Sequence, residues 1–247
     1  MGAMDQRVAL ITGGARGIGR AVAVALAERG WAVAVSYRTS VEQAMALEAG
    51  MKAAGRRAVI LRADLSDPAA AEDLVKRAEA EFGRIDALIN CAGSYRRVPL
   101  LEESLEGWHA MFNDNLHPAF YLGRAVAPGM IGRNWGRIVN FSIAKADQLL
   151  GQPFITSHYI AKVGILILTR SLAKILAPHG ITVNAISPGF IQTDGAPQEE
   201  FAQLTRNIPA GYVGSPQDAA SLVCYLLSEE ARYINGTNIH LSGAWGI

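Results

Sequence analysis

From its first strand onward the chain alternates short apolar runs with segments of helical period: Val8–Thr12, Ile18–Arg29, Ala32–Ser36, Val41–Ala54 and Ala58–Arg62. Parallel strands need a crossover rather than a tight hairpin, so this alternation predicts a sheet whose linking helices cover both faces. The pattern continues. Pro68–Phe82 reads as a helix, Ala87–Cys91 as a strand, Trp108–Ala127 as one long helix, Arg137–Phe141 as a strand and Ser157–Leu176 as a helix. Thr182–Ser187, Pro216–Leu227 and Asn238–Leu241 add a strand, a helix and a final strand. The expected fold class is α/β, a doubly wound parallel sheet of about seven strands with helices on both faces.

The 247 residues suffice for one such domain, and no repeat, low-complexity tract or linker divides them. The expectation is therefore a single domain over 1–247, the leading MGAM set aside. One irregular stretch, Gln192–Gly214, is rich in Pro, Gly and charge and reads as a substrate lid. With 23 basic and 22 acidic side chains the net charge is +1, which leaves no electrostatic footprint for nucleic acid or an anionic membrane surface. Only Cys91 and Cys224 are present, no leader pattern opens the chain, and no apolar run approaches bilayer length. These features suggest a cytoplasmic, reducing setting. Histidines 109, 117, 158, 179 and 240 show no ligand spacing with Cys, Asp or Glu, so no metal is expected.

The first strand runs directly into Gly13-Gly14-Ala15-Arg16-Gly17-Ile18-Gly19, and a helix follows. Glycines let such a turn bring backbone N–H groups to a pyrophosphate, whose charge the helix N-terminus favours. The second strand ends in Ser36-Tyr37-Arg38-Thr39-Ser40. A free ribose 2′-hydroxyl wants an acidic acceptor there, whereas a 2′-phosphate wants Arg and hydroxyl donors. Ser36, Arg38 and Thr39, with Arg16 in the turn, favour NADP(H).

Taken together, the motifs resemble those of the short-chain dehydrogenase/reductase family over the whole length, most closely its 3-oxoacyl-carrier-protein reductases and pteridine reductases. The family's TGxxxGxG corresponds to Thr12 through Gly19, and its adenine-binding aspartate to Asp64, followed by Leu65. Its Asn-Asn-Ala-Gly corresponds to Asn90-Cys91-Ala92-Gly93, with Cys91 in place of the second asparagine. Its Pro-Gly segment, which holds the nicotinamide carboxamide and phosphates, corresponds to Pro188-Gly189-Phe190-Ile191-Gln192-Thr193. The resemblance implies a Rossmann fold, cofactor contacts at those positions, a small-molecule or carrier-bound carbonyl substrate, and a homotetramer.

In the family a tyrosine hydroxyl gives the proton, a lysine four residues later lowers its pKa and binds the nicotinamide ribose, and a serine and an asparagine assist. Asn115 matches the asparagine and Lys162 the lysine. In Ser157-His158-Tyr159-Ile160-Ala161-Lys162, however, the residue four before the lysine is His158, and Tyr159 stands three before it. The two side chains diverge by about 100° around a helix. Three readings follow: His158 serves as the acid, which imidazole chemistry allows; a shifted helix start or π-bulge brings Tyr159 into place; or the protein binds cofactor without efficient turnover. The family's serine position is Ile143, leaving Ser142 as the neighbouring hydroxyl, with Lys145 and Asp147 as other polar groups in a segment, Ala144–Pro153, longer than the family's usual one.

Overall fold

The computed structural model describes residues 6–192 and 204–247. Its centre is one seven-stranded sheet in the order β3-β2-β1-β4-β5-β6-β7, with every pairing parallel. The strands are β1 (Val8–Thr12), β2 (Ala32–Tyr37), β3 (Ala58–Arg62), β4 (Ala87–Asn90), β5 (Gly136–Phe141), β6 (Ile181–Pro188) and β7 (Asn238–Leu241). Between them lie helices α1 (Gly17–Glu28), α2 (Val41–Ala53), α3 (Pro68–Phe82), α4 (Leu105–Asn115), α5 (His117–Gly132), α6 (Thr156–Leu176) and α7 (Pro216–Leu226). The order reverses between β1 and β4, and in such sheets ligands bind at that switch point, beyond the carboxyl ends of the strands.

Period-two alternation assigns each strand residue to one of two cores. Ala9, Ile11, Val33, Val35 and Ile89 pack against Val22 and Leu26 of α1 and Val223 and Leu226 of α7. Leu10, Ala34 and Leu88 point the other way, to Leu74 of α3, Leu122 and Val126 of α5 and Leu176 of α6. Each fully buried Leu or Ile contributes about 1.5–3 kcal/mol, so the two layers fix the strand register and with it the relative positions of the strand ends.

The long helix expected over Trp108–Ala127 is two helices, α4 and α5, separated at Leu116. The cause is Pro118, which has no N–H to donate to the carbonyl of Asp114 and whose ring crowds it. As a result Asp114 and Asn115 sit at a helix end, beside the switch point, rather than inside a continuous helix.

Among the described residues no helix is long and apolar enough to cross a membrane, and no cluster of His, Cys, Asp and Glu could hold a metal ion.

Candidate active site

At the end of β1 the backbone turns with Gly13 in the left-handed region, at φ +61. A Cβ there would lie 2.9 Å from Cα of Ala92, so only glycine lets the turn press against the loop after β4. The Ala92 N–H donates to Oγ1 of Thr12 at 3.0 Å and fastens the two loops together. Helix α1 then begins at an extended Arg16 whose own side chain does not cap it, and no acidic residue lies in its first turn. Its free N–H groups therefore face the cleft uncompensated, which suits a diphosphate.

That cleft has a volume of about 390 Å³ and brings together Gly13, Arg16, Gly17, Ile18, Gly19, Ser36, Arg38, Thr39, Leu65, Ala92 and Gly93. Lining residues not singled out in the sequence include Tyr37, Ser66, Ser94, Asp114 and Pro118. Other expected contacts lie elsewhere. Asp64 is not among the lining residues; its Oδ1 accepts from the N–H and hydroxyl of Ser66 at 3.1 and 2.8 Å, the larger cause of its lowered pKa. Asn90 is buried and donates to Asn140 at 2.8 Å, bracing β4 against β5. Pro188 ends β6 and accepts from Ala144, Gly189 donates to Leu241, and Ile191 forms an isolated bridge with Gly214. Thr193, with the rest of 193–203 in the Gln192–Gly214 stretch, lies outside the described residues.

Beyond Gly93 the cleft meets the buried polar groups of α4 and α6. A Cβ on Gly93 would stand 2.5 Å from Oδ1 of Asn115 and 3.4 Å from Nζ of Lys162, so this glycine keeps open the space between them. Asn115 donates to the carbonyls of Ser94 (3.0 Å) and Met111 (2.9 Å), and its Oδ1 is buried without a partner among the described residues. Lys162 donates to the Phe141 carbonyl at 3.0 Å. Burial pushes its ammonium down to about 8, with Cys91 acting weakly the other way. Burial likewise pushes the Cys91 thiol far above its ordinary range, which keeps it protonated and unreactive.

Helix α6 starts at Thr156 and runs as regular α-helix through Lys162, with no π turn. His158 and Tyr159 are both buried but serve different surroundings. The Tyr159 hydroxyl donates to the carbonyl of Lys145 and accepts from the Leu150 N–H, so it is bonded within the Ala144–Pro153 segment. His158 lies one turn before Lys162, with Tyr95 edge-on at a centroid distance of 5.2 Å. Burial, reinforced by the Lys162 charge and opposed by the Ser94 carbonyl, pushes the imidazole down to about 4. Its Nδ1 is buried with no partner among the described residues. The Ser142 hydroxyl donates to the Lys162 carbonyl at 2.7 Å and ties β5 to α6. The neutral imidazole, the lysine and the asparagine thus adjoin the cleft, while the tyrosine and serine hydroxyls are taken up by backbone carbonyls.

A family model described as "Enoyl-(Acyl carrier protein) reductase" matches residues 13–244. The 3-oxoacyl-[acyl-carrier-protein] reductase of Haemophilus influenzae is 36% identical over 243 residues, covering 97% of this chain and 98% of that protein. The same enzyme of Escherichia coli is 36% identical over 242 residues, 97% of each chain. A crystal structure of a blue fluorescent protein from a metagenomic library, in complex with NADPH, superposes with a TM-score of 0.91 at 33% identity over the full length of both chains.

Proposed function

The chain belongs to the short-chain dehydrogenase/reductase family, and from that premise we propose that it is an NADPH-dependent oxidoreductase that reduces the carbonyl of a 3-oxoacyl thioester, ketone or pteridine-like compound. The observation that carries this reading is the α1 N-terminus over a glycine turn, opening on a cleft lined at Gly93 and Ser94, beside which stand Asn115 and Lys162 and, against the Ser94 backbone, His158. The NADPH complex of the structural neighbour and the names of the reductase relatives point the same way.

The residues fit that cofactor. The turn and the first amides of α1 would hold its diphosphate, and Arg38 with Arg16 its 2′-phosphate; the bound nucleotide supplies the hydride. The protein supplies the rest. Gly93 leaves room beside Asn115 and Lys162, the ammonium of Lys162 favours negative charge developing nearby, and His158 moves a proton at its unpartnered ring nitrogen. Tyr95, 59% exposed, rests against the imidazole and has room to turn away from it. The whole chain acts as one dinucleotide-binding unit.

We further propose a homotetramer, supported by Phe120 on α5 and Ile160, Ile167 and Ile175 on α6, all more than 40% exposed. The second reading is a cofactor-binding protein without efficient turnover, favoured by the engagement of Tyr159 and Ser142 with backbone carbonyls.

The test is a fluorescence titration with NADPH and NADH, followed by a panel of ketones, 3-oxoacyl and enoyl thioesters and pterins while the absorbance of reduced cofactor is followed. Turnover of a carbonyl supports the reductase. Tight NADPH binding without turnover across the panel supports the second reading, and binding of neither nucleotide refutes both.

A further inference from the structure

Asp114 reaches the cleft from the end of α4, a position that exists because Pro118 ends that helix. Its carboxylate takes both terminal nitrogens of Arg38, at 2.8 and 3.4 Å. Arg38 follows β2 and Asp114 ends α4, and both line the cleft. Asp64 adds a second carboxylate 3.7 Å from Nη1, and Arg62 fixes the Arg38 backbone by donating to its carbonyl at 3.3 Å. The guanidinium is thus held and charge-compensated by the protein itself. These contacts keep it firmly protonated, the hydrogen bond to Asp114 most of all.

We propose that Asp114 sets the cofactor preference of the site by competing with a 2′-phosphate for Arg38. The proposal rests on the nucleotide reading above and concerns the one feature by which NADPH differs from NADH. A phosphate monoester brings between one and two negative charges near neutral pH, whereas a ribose hydroxyl brings none. To bond Arg38, that phosphate must share the guanidinium with Asp114 or displace it, and in either case the carboxylate stays. The Asp114 side chain is 15% exposed at a helix end, while that of Arg38 is 48% exposed. A pair this exposed is weakly held, so the phosphate is not excluded; its binding is weakened. Asp114 also orients Arg38, an effect of opposite sign. Ordering one side chain is the smaller quantity, because a near-dianion and a carboxylate would share a single cation.

The experiment is a fluorescence titration of NADPH and NADH against the wild type, Asp114→Asn and Arg38→Leu at one fixed salt concentration. Asparagine keeps an acceptor for Arg38 and removes only the charge. Asp114→Asn is expected to tighten NADPH about tenfold and to change NADH by less than about twofold, whereas Arg38→Leu abolishes the preference for NADPH. Equal shifts for the two nucleotides, no shift, or weaker NADPH binding would overturn the proposal. Asp114→Ser, with a thermal melt of each protein, repeats the comparison should the asparagine variant fold poorly. Wild type that binds neither nucleotide would overturn the nucleotide reading itself, a result distinct from wild type that binds NADPH while the variants leave its preference unchanged.

Discussion

If His158 gives the proton, carbonyl reduction accelerates as the pH falls. Imidazole ordinarily titrates near 6.5, and burial beside Lys162 brings this one to about 4. At pH 7 an ordinary histidine is about one-quarter imidazolium, whereas one with a pKa of 4 is about one part in a thousand, a deficit of roughly 200-fold. Each unit of falling pH between 7 and 5 restores about a factor of ten, so log kcat/KM should run with a slope near −1 and level off towards pH 4. The assay is oxidation of NADPH by the best carbonyl of the panel, with the acid decay of free cofactor subtracted. His158→Ala should flatten the profile and lower the rate at pH 5 by about a hundredfold. The same shift limits the window. The folded pKa lies below the unfolded one, so the unfolded chain takes up the proton first. Stability is intact above about 6.5 and falls by up to about 3 kcal/mol as the pH drops towards 4. Melts in the same buffers separate unfolding from chemistry. A flat profile between pH 5 and 7, or an unchanged slope in His158→Ala, would refute the histidine as acid.

Lys162 carries a related penalty, since its folded pKa of about 8 lies below the ordinary 10.5. Its protonated form is disfavoured in the fold at pH 8 and below, and the penalty vanishes as the pH approaches 10.5. Lys162→Met should therefore stabilise the protein by about 1–3 kcal/mol at pH 7, after loss of the bond to Phe141, with the gain shrinking towards pH 10 and nucleotide binding reduced; denaturant melts check this, and destabilisation at both pH values would refute it. Tyr159→Phe should spare nucleotide binding and reduction but speed amide exchange across residues 144–153, because the Leu150 N–H loses its acceptor and Lys145 and Leu149, both left-handed at φ +67 and +54, lose the hydroxyl that joins their segment to α6. Loss of turnover with unchanged exchange would return the acid role to Tyr159.

The alternation of strand and helix and the glycine turn were legible because each is a local pattern: period two sorts Ala9 and Ile11 from Leu10, and the turn announces itself within seven residues. The break at Leu116 was legible too, since Pro118 stands in plain view, but the apolar periodicity on either side outweighed it. What one sequence could not supply was pairing over distance. Asp114 meets Arg38 across 76 residues, and nothing near either predicts the other. Helix geometry likewise separates His158 from Tyr159 without saying which one faces the cleft. That depends on where Ala144–Pro153 folds, which is set by contacts such as Gln148 to the Gly246 carbonyl and Asp147 to His240.

The polar groups around the start of α6 divide by whether their bonds are complete. Tyr159 and Ser142 bind backbone carbonyls, and their hydroxyls hold the scaffold together. Beside them, Nδ1 of His158, Oδ1 of Asn115 and Oγ of Ser94 are buried without partners among the described residues. Leaving such an atom unsatisfied costs about 1–3 kcal/mol, and three within one neighbourhood is a cost that a purely structural site has reason to eliminate. Ser94 lines the cleft, and Asn115 borders the space that Gly93 keeps open. A ligand entering there would meet unfulfilled hydrogen-bonding capacity at these atoms rather than at the tyrosine. The departure from the family's tyrosine spacing therefore moves the polar demand of the site to His158 and its neighbours.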